Sequence, residues 1–287
     1  MTGPFVSVDD LRSELATGAP PVVLDIRWSL GGAPGNLEFA AGHVPGAVYV
    51  DLDSDLADPP GGRGRHPLPD PKRFAAAMRR AGVTLDRRVV VTDGGDGAFA
   101  ARAWWLLRHH GHDDVRLLDG GFAAWRESGA EVATGGQAAP YPDDGPPTER
   151  PFTADAARSA VLDADGAAAL ARSGKLLDAR APARYAGEVE PVDVRAGHIP
   201  GAVNAPTSMA LDASGRFLGR DELVARFADL DVEPGAAIGA YCGSGVTATH
   251  TILALHSIGI EAALYPGSWS EWITDPARPV ATSSKPG

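Results

Sequence analysis

The chain has 287 residues, of which 22% are charged and 44% hydrophobic, and this composition predicts a globular protein long enough for two domains. Its 26 basic and 37 acidic residues give a net charge of −11, which argues against a nucleic-acid partner. No apolar stretch approaches the roughly 20 residues that cross a bilayer, so no membrane partner is expected. A single cysteine, and an N-terminus without a basic start and an apolar core, predict a reducing, cytoplasmic location.

The first half of the chain alternates short apolar runs with helical patterns. Strands are predicted over 22–26, 88–91 and 115–118, and helices over 71–81 and 98–110. This alternation is typical of an α/β fold whose doubly wound, mostly parallel sheet carries helices on both faces. Three histidines near the end of the second helix, His109, His110 and His112, are explained by its dipole. No metal-ligand spacing is evident, so neither a metal nor another cofactor is expected.

The second half of the chain repeats landmarks of the first half in the same order. Gly-His-x-Pro-Gly-Ala-Val occurs at 42–48 and 197–203, and Leu-Asp-x-Arg occurs at 24–27 and 177–180. A period of about 150 residues corresponds to a duplicated domain rather than to a short structural repeat. The histidine of the first motif occurs as His43 and as His198, and the arginine of the second motif occurs as Arg27 and as Arg180. Because both recur in a half that is not expected to be catalytic, structural roles are predicted for all four residues.

Between the two halves, residues 134–151 are rich in Gly, Pro and Asp and show little apolar periodicity. The predicted organisation is therefore an N-terminal domain over 1–135, a linker over 136–157 and a C-terminal domain over 158–287.

The only cysteine stands in Cys-Gly-Ser-Gly-Val-Thr-Ala at 242–248, between a predicted strand over 236–241 and a predicted helix over 246–258. Ligands bind at the carboxyl ends of such strands. Gly243 and Gly245 would let backbone N–H groups curl toward the sulfur and stabilise a thiolate. Cys242 is thus a candidate nucleophile, with a buried structural thiol as the alternative. The matching turn of the first half holds Asp93, so that half is expected to be non-catalytic.

These motifs together resemble the tandem-domain rhodanese family, and in particular its 3-mercaptopyruvate sulfurtransferase type. The resemblance implies two rhodanese-like domains, the second of them catalytic, and a persulfide on Cys242. The sulfur would come from 3-mercaptopyruvate, with release of pyruvate, and would pass to cyanide or to a thiol such as thioredoxin or a small thiol. Thiosulfate-type rhodaneses typically carry basic residues where this chain has Gly243 and Ser244, which favours the mercaptopyruvate type.

The same resemblance implies a set of substrate-binding residues. Arg184 matches the family arginine that binds the carboxylate of the sulfur donor. A second family arginine has no direct match, because Val192 stands in its place, and Arg195 is the candidate to replace it. The other residues that the resemblance places around the donor or the persulfide are Gly243, Gly245, Val246 and Thr247. Thr247 is expected to cap the following helix or to donate to the persulfide, with capping favoured.

In the mercaptopyruvate type, a loop serine acts with a histidine and an aspartate of the other domain as a proton relay. The matching residues are Ser244, His66 and Asp53, and a histidine is suited to move a proton near neutral pH. His66 and Asp53 lie in a polar segment rich in Gly and Pro, so a solvated loop is the alternative interpretation. Trp28 matches an aromatic residue near the site and equally fits a core position.

Other functions remain open at this point. A thiosulfate sulfurtransferase would use the same cysteine and release sulfite, and a non-catalytic persulfide carrier or binding module would use it without turnover. A phosphatase or arsenate reductase related to rhodanese would need an arginine six positions after the cysteine. Ala248 stands there, which disfavours both.

Overall fold

The computed structural model describes residues 3–136, 149–154 and 157–287. The chain divides into two compact units, which are Met1–Asp58 with Leu68–Arg158 and Ser214–Arg216, and Pro59–Pro67 with Ser159–Ala213 and Phe217–Gly287. The predicted boundaries assign residues 59–67 to the N-terminal domain, whereas this segment groups with the second unit. Of the predicted linker, residues 137–148 and 155–156 lie outside the described residues.

The first unit is built on a five-stranded parallel sheet in the order β1-β5-β4-β2-β3. Its strands are β1 (Phe5–Val6), β2 (Val22–Asp25), β3 (Val48–Tyr49), β4 (Val89–Thr92) and β5 (Val115–Leu118). Its helices are α1 (Val8–Leu15), α2 (Gly35–Ala41), α3 (Pro71–Arg80), α4 (Ala100–His109) and α5 (Gly121–Glu127). The strands and helices predicted in this half therefore form, with bounds shifted by no more than two residues.

Helices cover both faces of this sheet. Val23 and Val90 point to one face, where they form a buried cluster with Phe39 of α2 and Phe122 of α5. Successive residues of a strand point to opposite faces, and α4 packs against β4 and β5. Strands buried on both faces explain why their sequences are continuous apolar runs.

The second unit repeats this plan with a parallel sheet in the order β7-β6-β8-β9. Its strands are β6 (Lys175–Asp178), β7 (Val203–Asn204), β8 (Ile238–Tyr241) and β9 (Ala263–Leu264). Its helices are α6 (Ala164–Ser173), α7 (Pro182–Tyr185), α8 (Arg220–Ala228), α9 (Ala248–Ser257) and α10 (Ser268–Trp272), with a 3₁₀ turn at Thr207–Ala210. A parallel bridge between Val161 and Leu264 stands where β1 lies in the first unit. No helix in the described part of the chain is long and apolar enough to cross a membrane.

The repeated arginines brace the fold in the same way in both units, as predicted. Arg27 forms two hydrogen bonds with Asp25 and a third with the carbonyl oxygen of Gly42, at 3.3 Å. Arg180 contacts both carboxylate oxygens of Asp178 and donates to the carbonyl oxygen of Gly197, at 2.7 Å. Each pair is buried and ties a central strand to the start of a Gly-His-x-Pro-Gly turn.

The repeated histidines are structural as well. The Nδ1 atom of His43 lies 2.8 Å from the carbonyl oxygen of Phe39, and that of His198 lies 2.8 Å from the carbonyl oxygen of Tyr185. Each ring also stacks on the aromatic ring of the same partner, with centroids 3.8 Å apart. The predicted structural roles of His43 and His198 are therefore confirmed.

Replacing Arg27 with Ala should lower the free energy of unfolding by about 3 to 5 kcal/mol, because it leaves the buried Asp25 carboxylate unpaired. Burial already raises the pKa of Asp25, and Arg27 opposes that shift. The decrease in the free energy of unfolding caused by Arg27→Ala should therefore become smaller as the pH falls and Asp25 becomes neutral. Urea unfolding followed by tryptophan fluorescence measures both effects. Arg12→Ala is the control. It removes an exposed ion pair with Asp9 and should change the free energy of unfolding little.

Candidate functional site

Cys242 directly follows β8, at the carboxyl end of a central strand of the second sheet. Its side chain is buried, and the N–H of Gly245 donates to Sγ at 3.1 Å. The main chain of Cys242 is fixed on both sides. Its N–H donates to the hydroxyl of Ser268 at 3.1 Å, and its carbonyl oxygen accepts from the N–H of Trp269 at 3.0 Å. The sulfur is thus held in the predicted turn between strand and helix.

Gly245 is required by the geometry of this turn. Its φ of +76° is in the left-handed region, and a Cβ at this position would lie 2.3 Å from the carbonyl oxygen of Pro266. A side chain here would therefore move the N–H that contacts the sulfur. Gly243 is different, because the atoms nearest to a Cβ there would be the ends of two arginine side chains.

The corresponding turn of the first unit shows what such a loop binds. Asp93 follows β4 directly and is buried. One carboxylate oxygen accepts N–H bonds from Gly95 and Gly97, at 2.9 and 3.1 Å. The other accepts from Phe99 and Ala100, at 3.0 and 3.2 Å. Backbone N–H groups converging on one point form an anion site, so the prediction that Asp93 stands where the other half has Cys242 is consistent with the structure.

Two of the three predicted relay residues are brought together. The Nδ1 atom of His66 lies 2.7 Å from the hydroxyl oxygen of Ser244, two residues after Cys242. Both residues belong to the second compact unit, because the 59–67 segment groups with it. Asp53 belongs to the first unit, where the indole N–H of Trp28 donates to its carboxylate at 3.2 Å. Trp28 is half-buried there and packs against Phe99, with ring centroids 5.3 Å apart.

Arg184 lies beside the loop, with both Nη atoms 3.6 Å from the point that a Cβ on Gly243 would occupy. Its guanidinium donates twice to Glu190, at 2.7 and 3.3 Å, and approaches Asp193 at 3.5 Å. Burial alone would raise the pKa of Glu190. The hydrogen bonds from Arg184 and from the N–H groups of Asp193 and Val192 outweigh burial and lower it. Glu190 is therefore an anion that fixes the orientation of the guanidinium.

Arg65 is a site residue that the sequence did not reveal. Its guanidinium bonds to Asp193, and its Nη2 lies 2.9 Å from the point that a Cβ on Gly243 would occupy. The backbone N–H of Arg65 donates to the hydroxyl of Ser270 at 3.0 Å. The only signal available in the sequence was its place directly before His66.

The remaining predicted residues differ in their placement. Arg195 is exposed, and its guanidinium is directed to the carbonyl oxygen of Arg278 at 3.4 Å rather than to the loop. Val246, which belongs to the loop itself, is buried. Thr247 precedes α9, but its side chain makes no capping hydrogen bond, because its φ of −70° and ψ of −15° are already helical. The favoured capping role of Thr247 is therefore wrong.

Among the described residues, no group of three or more His, Cys, Asp or Glu side chains could hold a metal ion. His112, one of the three histidines near the end of α4, contacts the carbonyl oxygen of Thr84 through Nε2 at 2.9 Å. Burial is the main cause that lowers its pKa.

Comparison with known proteins gives one consistent family. The profile of the rhodanese-like domain matches residues 7–128 and 163–275. A Pseudomonas aeruginosa protein provisionally named as a 3-mercaptopyruvate sulfurtransferase is 47% identical over 269 residues, covering 91% of this chain and 92% of the relative. A Mycobacterium tuberculosis protein provisionally named as the thiosulfate sulfurtransferase SseB is 44% identical over 277 residues, covering 96% of both chains.

Solved structures agree with this assignment. The crystal structure of SseA from Escherichia coli, a 3-mercaptopyruvate sulfurtransferase, is 34% identical and superposes with a TM-score of 0.79. The match covers 94% of this chain and the whole of that one.

We expect Gly245→Ala to lower stability by more than the roughly 1 to 3 kcal/mol of a strained backbone alone, because its Cβ also meets the Pro266 carbonyl. It should also slow alkylation of Cys242, since the N–H on Sγ is displaced. Thermal unfolding and the rate of thiol alkylation measure the two effects. Gly46→Ala is the matched control, because φ there is +79° with no atom within 4 Å. Equal behaviour of the two variants would contradict the prediction.

Proposed function

Since this chain belongs to the rhodanese family and is a sulfurtransferase, we propose that Cys242 takes sulfur from 3-mercaptopyruvate and passes it to a thiol. The observation that carries the proposal is the place of the only cysteine, with a backbone N–H on its sulfur and the Ser244–His66 pair beside it. The N–H donates a hydrogen bond to the sulfur, and the pair supplies a route for a proton.

The reaction begins when the Cys242 thiolate attacks the sulfur of the donor. An S–S bond forms and the C–S bond breaks, so the electron pair of that bond becomes the enolate of pyruvate. The proton of the donor thiol ends on the methyl carbon of pyruvate, and the protein keeps an anionic persulfide. A second thiol then attacks the outer sulfur and restores the Cys242 thiolate.

Ser244 and His66 are proposed to move that proton. A contact of 2.7 Å between Oγ and Nδ1 is a hydrogen bond, and a neutral imidazole can take a proton at one nitrogen and release it from the other. We propose that Asp53 is the third member, by its match to the family pattern. Thr247, Gly243, Gly245 and Val246 are proposed to surround the persulfide, and Arg184 to bind the carboxylate of the donor.

The acceptor is proposed to be an external thiol, either thioredoxin or a small thiol. The chain has one cysteine, so it cannot resolve its own persulfide by forming an internal disulfide. A reducing, cytoplasmic setting would supply such thiols.

A thiosulfate sulfurtransferase is the second candidate function. It is favoured by the arginine side chains that lie around Gly243, since thiosulfate is a dianion. In that reaction Cys242 takes the sulfane sulfur of thiosulfate, sulfite leaves, and no proton has to move.

Incubation with 3-mercaptopyruvate should add one sulfur atom to the intact protein, removable by cyanide or dithiothreitol, as measured by mass spectrometry. Cys242→Ser should take up none. Steady-state rates with a small thiol acceptor should give a higher kcat/KM for 3-mercaptopyruvate than for thiosulfate. A preference for thiosulfate would favour the second candidate function, and sulfur uptake without turnover would indicate a persulfide carrier.

Replacing His66 or Ser244 with Ala should lower the rate with 3-mercaptopyruvate by about 100-fold, the usual scale of general acid-base assistance. Turnover of thiosulfate should change little, because it has no thiol proton to move. The double variant should lose little more activity with 3-mercaptopyruvate than either single variant, since the pair is proposed to act as a unit. His256→Ala, a surface change at a pair with Glu261, is the control. Equal losses with both donors would mean that the pair only holds the loop.

A further inference from the structure

The segment Pro59–Pro67 brings a second polar side chain, that of Arg65, to the cysteine loop besides His66. Gly64 has a φ of +96°, and a Cβ there would lie 2.7 Å from the carbonyl oxygen of Gly267. The next N–H, that of Arg65, donates to the hydroxyl of Ser270. The N–H of Ser270 in turn donates to the carbonyl oxygen of Gly243, at 2.9 Å. The backbone of Arg65 is therefore anchored to the loop that carries Cys242.

The guanidinium of Arg65 lies next to that of Arg184. Measured from the point that a Cβ on Gly243 would occupy, Nη2 of Arg65 is 2.9 Å away and both Nη atoms of Arg184 are 3.6 Å away. Gly243 directly follows the cysteine. Two guanidinium groups therefore converge on the residue next to Cys242.

Asp193 contacts both arginines through its carboxylate. One of its oxygens bonds to Nη1 of Arg65, and the other lies 3.5 Å from Nη2 of Arg184. Asp193 is only 5% exposed, whereas Arg65 and Arg184 are 31% and 22% exposed. Two guanidinium groups that are spaced to share one carboxylate also suit a second carboxylate on their open side.

Solvent reaches this cluster from the side of Arg65. A cavity of about 300 Å³ is lined by residues that include Gly64, Arg65, Val192, Asp193 and Ser270. Val192 contributes no charge, and Arg195 is directed to the carbonyl oxygen of Arg278. Neither of them therefore places a positive charge beside Gly243 in this structure.

We propose that Arg65 is the second cationic residue that binds the carboxylate of the sulfur donor, together with Arg184. The proposal rests on the proposed function for the identity of the donor, 3-mercaptopyruvate. It assigns to the 59–67 segment two roles, anion binding through Arg65 and proton transfer through His66.

The first experiment needs no sulfur donor and compares alkylation of the single cysteine by anionic iodoacetate and by neutral iodoacetamide. Removing one unit charge about 6 Å from the reagent should lower the iodoacetate-to-iodoacetamide rate ratio roughly 3- to 100-fold, for effective dielectric constants between about 80 and 20. Arg65→Ala and Arg184→Ala should both show this fall. Arg63→Ala makes the same charge change at an exposed position of the same segment and should leave the ratio unchanged.

The second experiment measures kcat/KM with 3-mercaptopyruvate for the same variants. Arg65→Ala should lose roughly 10- to 100-fold, the scale of a hydrogen bond to a charged group. Arg65→Lys should restore the alkylation ratio, because it restores the charge. It should restore kcat/KM only in part, because an ammonium lacks the two parallel donors of a guanidinium.

The proposal is overturned if Arg65→Ala behaves like Arg63→Ala, or if it slows both alkylating reagents equally, which would indicate that Arg65 only holds the loop. A parent protein that does not use 3-mercaptopyruvate would instead contradict the proposed function. The alkylation ratio would still decide whether Arg65 binds anions beside Cys242.

Discussion

Backbone N–H groups that point into the turn after a central strand are the interaction on which both halves of this protein depend. In a parallel sheet, such a turn leads directly into a helix whose first N–H groups have no partner within the helix. In the first half, the Asp93 carboxylate accepts from the N–H groups of Phe99 and Ala100 at the start of α4 and from those of Gly95 and Gly97 in the turn itself. In the second half, the N–H of Gly245, within the turn, donates to the Cys242 sulfur. The same backbone therefore surrounds a carboxylate in one half and a cysteine thiol in the other.

The two turns are also held in the same way by the segments that follow β5 and β9. The carbonyl oxygens of Asp93 and Gly94 accept N–H bonds from Phe122 and Ala123. Those of Cys242 and Gly243 accept from Trp269 and Ser270. Duplication has thus preserved the support of the turn while the residue inside it changed. A side chain that already satisfies the buried N–H groups explains why the first half can keep this fold without a nucleophile.

The sequence predicts those features that depend on contiguous residues. The strand, the turn and the helix around Cys242 are adjacent in the chain, so apolar spacing and two glycines were enough to place them. Arg65 could not be found in this way, because it reaches Gly243 only through the packing of a distant segment. Thr247 illustrates a different limit. Its residue type suits a cap, but its backbone is already helical, and only the structure shows that.

The charges beside the loop bear on which donor the site accepts. Three guanidinium groups, those of Arg65, Arg180 and Arg184, are paired with three carboxylates, those of Asp178, Glu190 and Asp193. The cluster is therefore close to neutral, although its arginines are the more exposed partners at the loop. The cost of taking an anion out of water rises steeply with its charge. The arginines by themselves would attract the dianion thiosulfate, but their paired carboxylates make the cluster close to neutral. A neutral cluster with open guanidinium donors offsets the cost of desolvation more readily for the single carboxylate of 3-mercaptopyruvate than for the two charges of thiosulfate. In the proposed site, selection of the donor then depends as much on the acids that neutralise the arginines as on the arginines themselves.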